Sequence, residues 1–260
     1  MSNVPPVALT IAGSDCSGGA GIQADLKVFT ALGVYGMSAV TCVVAETPKK
    51  VVSLQPIPVK VFRDQLTCCL ENMPIGAIKT GMLYSDSIIR EVKEKLAGGG
   101  YELVVDPVIV ATSGKKLLQP NAIRALKELL PIAKLVMPNV DEAVILSGQP
   151  VDSLATLESA AKKIFDYFGC PVLAKGGHLR MKSATDVFYD GRAMLKLESE
   201  YIKGVVTHGT GCTYSACITA HLARGKGLQG SIERAKRNIT EAIRNAFRFP
   251  AWTALNQLPG

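Results

Sequence analysis

Val7-Ala8-Leu9-Thr10-Ile11-Ala12 runs straight into Gly13-Ser14-Asp15-Cys16-Ser17-Gly18-Gly19-Ala20-Gly21, and Ile22 to Leu32 follows. The first stretch is nearly continuous in apolarity. The second is a glycine-rich loop. The third sets Ile22, Leu26, Phe29 and Leu32 on one side of a helix. Strand, loop, helix is the resulting reading. A strand without polar alternation is buried on both faces, which is the habit of parallel sheets.

The same cycle repeats along the chain. Ala77-Ile78-Lys79, Leu103-Val104-Val105-Asp106-Pro107, Leu135-Val136-Met137-Pro138-Asn139 and Pro171-Val172-Leu173-Ala174-Lys175 read as strands. An apolar run ending at Val44 precedes them. Helices are expected over Val59–Asn72, Ser85–Leu96, Ala122–Leu130, Asp141–Ser147, Thr156–Phe168, Thr213–Arg224 and Ile232–Phe247. Thr185–Tyr189 and Met194–Leu197, joined through Asp190-Gly191, read as a hairpin. The fold class is α/β, with a mainly parallel sheet covered on both faces. Ligands of such sheets bind beyond the carboxyl ends of the strands. The polar loops Gly13-Ser14-Asp15, Thr80-Gly81, Asp106-Pro107, Asn139 to Glu142 and Lys175-Gly176-Gly177 all begin there.

The chain has 260 residues, 48% hydrophobic and 20% charged, with a net charge of +7. These values are ordinary for a globular protein. No apolar stretch reaches the ~18–20 residues of a membrane span, and the first residues lack a basic head and apolar core. No membrane partner and a cytoplasmic location are expected. Lys and Arg are scattered without interleaved aromatics, so no nucleic-acid partner is expected either. The seven cysteines include no C-x-x-C pair, which argues against a disulfide framework or a zinc knuckle. His221 lies in an apolar helix and reads as a satisfied core residue.

His208-Gly209-Thr210-Gly211-Cys212-Thr213 opens onto an apolar helix. Amides at such a helix start, with the helix dipole, favour phosphate. The same dipole is expected to lower the pKa of Cys212, as base or as nucleophile. A thiol hydrolase would add an imidazole, with His208 and His178 as candidates. The Gly13–Gly21 loop has neither G-x-G-x-x-G spacing nor a G-K-[ST] ending. It reads as a loop close over a small ligand or as a plain turn. Asp25, one turn into the helix, faces either that pocket or solvent. Asn139-x-x-Glu142 offers oxygen ligands suited to Mg2+, or it is a capping box.

Ala12 to Lys27 (A-G-S-D-x-S-G-G-A-G-I-Q-A-D-L-K), Lys79 to Leu83, Val105 to Val108, Ala111 to Gly114, Pro138 to Ala143, Lys175 to His178 and His208 to Thr213 occur in this order. Together they resemble the hydroxymethylpyrimidine/phosphomethylpyrimidine kinases of thiamine biosynthesis, within the ribokinase-like group. The resemblance covers about residues 7 to 248. It implies one three-layer α/β/α domain over residues 1–260, with loose ends at about 1–6 and 249–260. It implies a kinase acting on an aminopyrimidine alcohol and then on its monophosphate, with ATP and Mg2+; a homodimer is expected.

The roles implied are as follows. Gly209, Thr210, Gly211 and Cys212 form the anion hole, with Cys212 as base. Gly13, Asp25, Val43, Glu46, Met82 and Val108 surround the pyrimidine. Lys175, Gly176, Gly177 and Thr210 take ATP. Asn139 and Glu142 organise Mg2+, mainly through water and phosphate. Ala111 to Gly114 belong to a flap. Glu46 stands where the family usually has glutamine. A glutamine amide donates and accepts, whereas an ionised glutamate only accepts, unless it meets a protonated ring in a charge-assisted pair. The small pyridoxal kinases are the nearest alternative, through Tyr214, Val34-Tyr35-Gly36-Met37 and Leu197-Glu198-Ser199-Glu200. A non-catalytic ligand-binding regulator on the same fold is a more distant one.

Overall fold

The opening apolar run forms β1 (Val7–Asp15), buried along its length except at Ser14. The computed structural model describes residues 4–110, 118–177, 179, 183–205 and 208–257. After β1 come α1 (Gly21–Ala31), β2 (Tyr35–Thr47), β3 (Lys50–Pro56), α2 (Val59–Asn72), β4 (Ile75–Thr80) and α3 (Asp86–Leu96). Then follow β5 (Glu102–Val105), α4 (Ala122–Leu129), β6 (Leu135–Val136), α5 (Val140–Ser147), α6 (Leu154–Phe168) and β7 (Val172–Ala174). The chain continues through β8 (Ser183–Tyr189), β9 (Met194–Glu200), α7 (Thr210–Ala223), α8 (Leu228–Arg244), β10 (Phe247–Arg248) and β11 (Thr253–Ala254).

Nine strands form one sheet in the order β3-β2-β1-β4-β5-β6-β7-β8-β9. From β2 to β7 every pairing is parallel. The edges are antiparallel, β2 with β3 and β7 with β8 and β9. This is the ribokinase-like α/β/α arrangement. From β1 the chain steps to β2 on one side and later to β4 on the other. The gap beyond the end of β1 is therefore a topological switch point, where such sheets hold ligands.

Two cores sandwich the sheet. One packs α2 to α6 through residues such as Phe62, Leu66, Ile89, Leu126, Leu146 and Ile164. The other packs α1, α7 and α8 through Val28, Phe29, Ala216, Ile218, Ile232 and Ala235. Side chains along a strand alternate between the faces. Ala8, Ala77, Val104 and Leu173 join the second core, while Leu9, Ile78, Val105 and Val172 join the first. The same alternation places Thr10, Lys79, Asp106 and Lys175 on the α1/α7 side, at or just past the strand ends.

Several boundaries differ from expectation. Helix α7 begins at Thr210 rather than Thr213, so Cys212 lies inside its first turn. Helix α8 starts at Leu228 and ends before Phe247, which joins the small β10–β11 pair. Strand β3 has no counterpart in the sequence reading. The expected loose end beyond residue 249 is packed as far as Gln257. Leu255 is buried there, and the Gln257 amide donates to Thr213 Oγ1 at 3.4 Å. Among the described residues, no helix is long and apolar enough to cross a membrane.

Candidate active site

A cavity of about 490 Å3 opens at the switch point, past the carboxyl ends of the parallel strands. Gly13, Glu46, Met82 and Val108 line one end, and Asn139, Glu142 and Gly177 line another part. Gly209, Thr210, Gly211, Cys212, Asp106 and Lys175 also face it. Most residues named from sequence therefore meet in one space. Three do not line it. Val43 points outward and is 48% exposed, because its neighbour Val44 takes the inward position of the strand. Gly176 is pressed against the Thr185 carbonyl of β8 and donates its N–H to Asp186 Oδ1 at 3.0 Å. Asp25 is fully buried behind the wall, held by partners that sequence spacing did not identify. Ala111 to Gly114 and His178 lie outside the described residues.

The start of α7 is built by two glycine loops in contact. Gly209 has φ of +78°, and a Cβ there would overlap the Gly19 carbonyl oxygen. Left-handed backbone and this close approach both demand glycine. Neither α7 nor α1 has a side-chain cap at its N-terminus, which leaves their first amides available to other acceptors. The Gly21 backbone, at the start of α1, favours the negative form of Cys212. The net effect on Cys212 reverses the sequence expectation. Burial pushes its thiol up to about 12, and the carboxylates of Asp25 and Asp106 act the same way. Lys79 and the Gly21 amide oppose them without prevailing.

Paired charges surround the helix start. Lys79 Nζ, fully buried, donates to Asp25 Oδ1 at 2.6 Å, and Thr10 Oγ1 donates to Asp25 Oδ2 at 2.6 Å. Burial opposes charge on both Asp25 and Lys79, but contacts this short are those of an ionised pair. Lys175 Nζ donates to Asp106 Oδ1 at 2.7 Å. A Cβ on Gly211 would come within 3.3 Å of both Lys175 Nζ and Asp106 Oδ2. Those two charged groups thus stand directly at the helix start.

At the Glu46 end, His208 Nε2 lies 2.9 Å from Asp15 Oδ2. Asp15 also accepts from the Ser17 amide at 2.7 Å and the Ala20 amide at 2.8 Å. Burial works against the Asp15 carboxylate, but His208, Ser17 and Ala20 outweigh it and hold its pKa below the usual value. Burial likewise opposes charge on His208, and Asp15 and Glu46 outweigh it to raise its pKa. Burial and the Asp15 charge push the Glu46 carboxyl up. Asp15, Glu46 and His208 offer ligand atoms within 4.8 Å of one another. The Asp15 oxygens are already committed to protein donors, so the group reads as a charge cluster. Because His208 is turned to Asp15, it is not placed as the imidazole of a thiol hydrolase.

Asn139 and Glu142 form the capping box of α5. The Glu142 amide donates to Asn139 Oδ1 at 2.9 Å, and the Asn139 amide donates to Glu142 Oε2 at 2.8 Å. The Ile109 amide reaches Glu142 Oε1 at 3.4 Å. Burial pushes Glu142 up to about 7, with Asp106 adding to the effect and Lys175 opposing it. Both carboxylate oxygens hold a backbone N–H, so this pair suits an ion carried through water better than direct ligation. His221 is a satisfied core residue: it is buried, and its Nε2 lies 3.0 Å from Asn238 Oδ1. All seven cysteines are free.

Sequence reading did not single out Asp15, Lys79 or Asp106 as site residues. A signal for two of them exists. In Ala77-x-Lys79 and Val104-x-Asp106, the charged residue follows a core residue at the strand period, on the face that α7 covers.

Residues 15–254 match the family model for phosphomethylpyrimidine kinase. A Rhizobium meliloti hydroxymethylpyrimidine/phosphomethylpyrimidine kinase is 41% identical over 245 residues, covering 94% of this chain and 92% of its own. A Bacillus subtilis pyridoxine kinase is 44% identical over 252 residues, covering 92% of this chain and 91% of its own. The crystal structure of an ADP complex of Bacillus subtilis pyridoxal kinase superposes with a TM-score of 0.91 at 40% identity, covering 98% of each chain.

Proposed function

The chain belongs to the phosphomethylpyrimidine kinase family, and from that premise we propose that it phosphorylates 4-amino-5-hydroxymethyl-2-methylpyrimidine, and then the monophosphate, to the diphosphate used in thiamine biosynthesis. One observation carries the reading. Cys212 lies in the first turn of α7, on the wall of the cavity that Gly13, Glu46, Met82 and Val108 also line. Lys175, Asn139 and Glu142 share the same cavity, on the side assigned to the triphosphate.

Catalysis in this reading is positioning and charge stabilisation. The Gly209–Cys212 amides and Lys175 hold the transferring phosphoryl group. Cys212 takes the proton of the substrate hydroxyl while that oxygen forms its bond to the γ-phosphorus, which requires the thiolate; because burial pushes the thiol up to about 12, that form is minor at neutral pH and the rate should rise toward alkaline pH. The bond from the γ-phosphorus to the β,γ-bridging oxygen breaks, and ADP leaves. Asn139 and Glu142 fit an Mg2+ ion held through water and phosphate. Bound there, the ion neutralises phosphate charge. Cys212→Ala is expected to lose at least 100-fold in kcat while binding a fluorescent ATP analogue as before. Undiminished turnover would remove Cys212 from the mechanism.

Pyridoxal phosphorylation is the competing reading, favoured by the pyridoxine and pyridoxal kinases among the relatives and by Glu46. Glu46 sits beside Asp15, and burial raises its carboxyl pKa. A ring that carries a proton on nitrogen suits this end best. Side-by-side kcat/KM for hydroxymethylpyrimidine and pyridoxal separates the two readings. Glu46→Gln is expected to change that ratio and to flatten its pH dependence between pH 5 and 8. An unchanged ratio and profile would make Glu46 a bystander.

A further inference from the structure

Asp186 of β8 and Lys236 of α8 line the same cavity but have no part in the chemistry described so far. Strand β8 alternates between the two cores. Val187 joins the α2–α6 core and Phe188 the α7/α8 core. Asp186 falls on the Phe188 face, opposite Leu197 of β9. A further apolar residue would complete the core there. A carboxylate stands in its place, 4% exposed. Lys236 donates to Asp186 Oδ2 at 2.8 Å and to the Ala184 carbonyl at 2.9 Å. A buried ion pair adds little stability over a well-packed apolar pair, so stability alone does not account for it.

The other carboxylate oxygen faces the loop that follows β7. Asp186 Oδ1 accepts the Gly176 N–H at 3.0 Å. Gly176 is enclosed: a Cβ there would overlap the Thr185 carbonyl oxygen and come within 3.0 Å of Leu157 Cδ2. A buried N–H left without an acceptor is destabilising, so Asp186 is what lets the backbone pass this close to β8. One residue earlier, the Lys175 N–H donates to the Pro138 carbonyl at 2.8 Å, next to the α5 capping box. Two consecutive amides are thus tied to two different elements, with the Lys175 Cα between them. From there the Lys175 side chain reaches Asp106 Oδ1 and stands at the start of α7.

We propose that Asp186 is a positioning residue for the nucleotide: with Lys236 as its counter-charge, it pins the Gly176 amide and so sets where the Lys175 ammonium meets the phosphates. The inference rests on the placement of ATP beside Lys175 given above. Asp186 acts through the Gly176–Lys175 backbone and not by its charge on the ligand.

Removing one charge alone would strand the other, so both are changed together. Asp186→Asn/Lys236→Met keeps an oxygen for the Gly176 amide. Asp186→Leu/Lys236→Met keeps the branching of the side chain and loses the acceptor. The readouts are the exchange rate of the Gly176 amide by NMR, and steady-state kcat and KM. The leucine variant is expected to exchange Gly176 about tenfold faster than the asparagine variant. Its KM for ATP should rise about tenfold, while KM for the alcohol substrate stays within about threefold. The asparagine variant should recover most of that loss. Equal Gly176 exchange in the two variants overturns the proposal. So does an asparagine variant as impaired toward ATP as the leucine one, which is the signature of a direct charge contact. Asp186→Ala/Lys236→Met, which also lacks the acceptor, replaces the leucine variant if that one does not fold. If Lys175→Met leaves KM for ATP unchanged, the placement of ATP fails by itself, and Gly176 exchange still decides whether Asp186 holds the loop.

Discussion

Asp15 and His208 show how one pair fixes a pH window. The Asp15 pKa is depressed from 3.8, so its stabilising contribution is present above that value and lost as pH falls through the depressed one. The His208 pKa is raised from 6.5, so its contribution is full below 6.5 and lost as pH rises through the raised value. The pair is strongest between about pH 4 and 6.5. The difference in melting temperature between the parent and His208→Gln should be largest near pH 5 and shrink above neutrality, and a pH-independent difference would contradict the pairing. Asp25 marks the limit of reading at this scale. Its place one turn into α1 was visible, but its partner Lys79 lies 54 residues on. The sequence reading offered pocket or solvent, and the side chain is in neither. Cys212 has a similar history. The helix start was legible, whereas the burial that outweighs the dipole depends on side chains from separate strands.

At the scale of elements, apolar periodicity located every α-helix among the described residues and most strands, because each must bury one stripe or both faces. Ends were less legible. α7 begins earlier than its apolar run: Gly209, packed against the Gly19 carbonyl, is its N-cap, and Thr210 and Gly211 follow in the first turn. β3 escaped notice because most of it is exposed, with Val51 its buried residue. Pairing with β2 makes it a strand. The contact between the two glycine loops yields a clear expectation. Gly209→Ala should cost at least 100-fold in kcat/KM, because the added methyl group overlaps the Gly19 carbonyl and moves the α7 amides off the phosphoryl group. A steady-state assay with a circular-dichroism control checks this, and near-parental activity would show that the loop can shift without harm.

For the whole molecule, ligand binding and folding share the same contacts. A nucleotide present at 100 times its Kd stabilises the native state by about 2.7 kcal/mol, or roughly 5–10 °C in Tm for a chain of this size. Cys212→Ala should show the same upward shift with MgATP in a thermal melt. A lost shift would mean that the thiol holds the nucleotide and is not confined to proton transfer. The α/β class and the position of the site past the strand ends were legible because both follow from the order of apolar runs. Which of the five polar loops at that edge carry charge pairs was not, since pairing is set by sheet neighbours rather than by chain neighbours.

The bracing of Asp25 by Lys79 across adjacent strands also bears on how the chain is made. A ribosome adding about 5–20 residues per second needs roughly 3–10 s to travel the 54 residues between them. Throughout that interval the nascent protein carries a carboxylate designed for burial with no cation to meet it. Helix α7, which closes the same face, emerges later still. In that interval Asp25 is simply hydrated, and its burial under α1 waits for β4 to supply Lys79 and for α7 to cover the face.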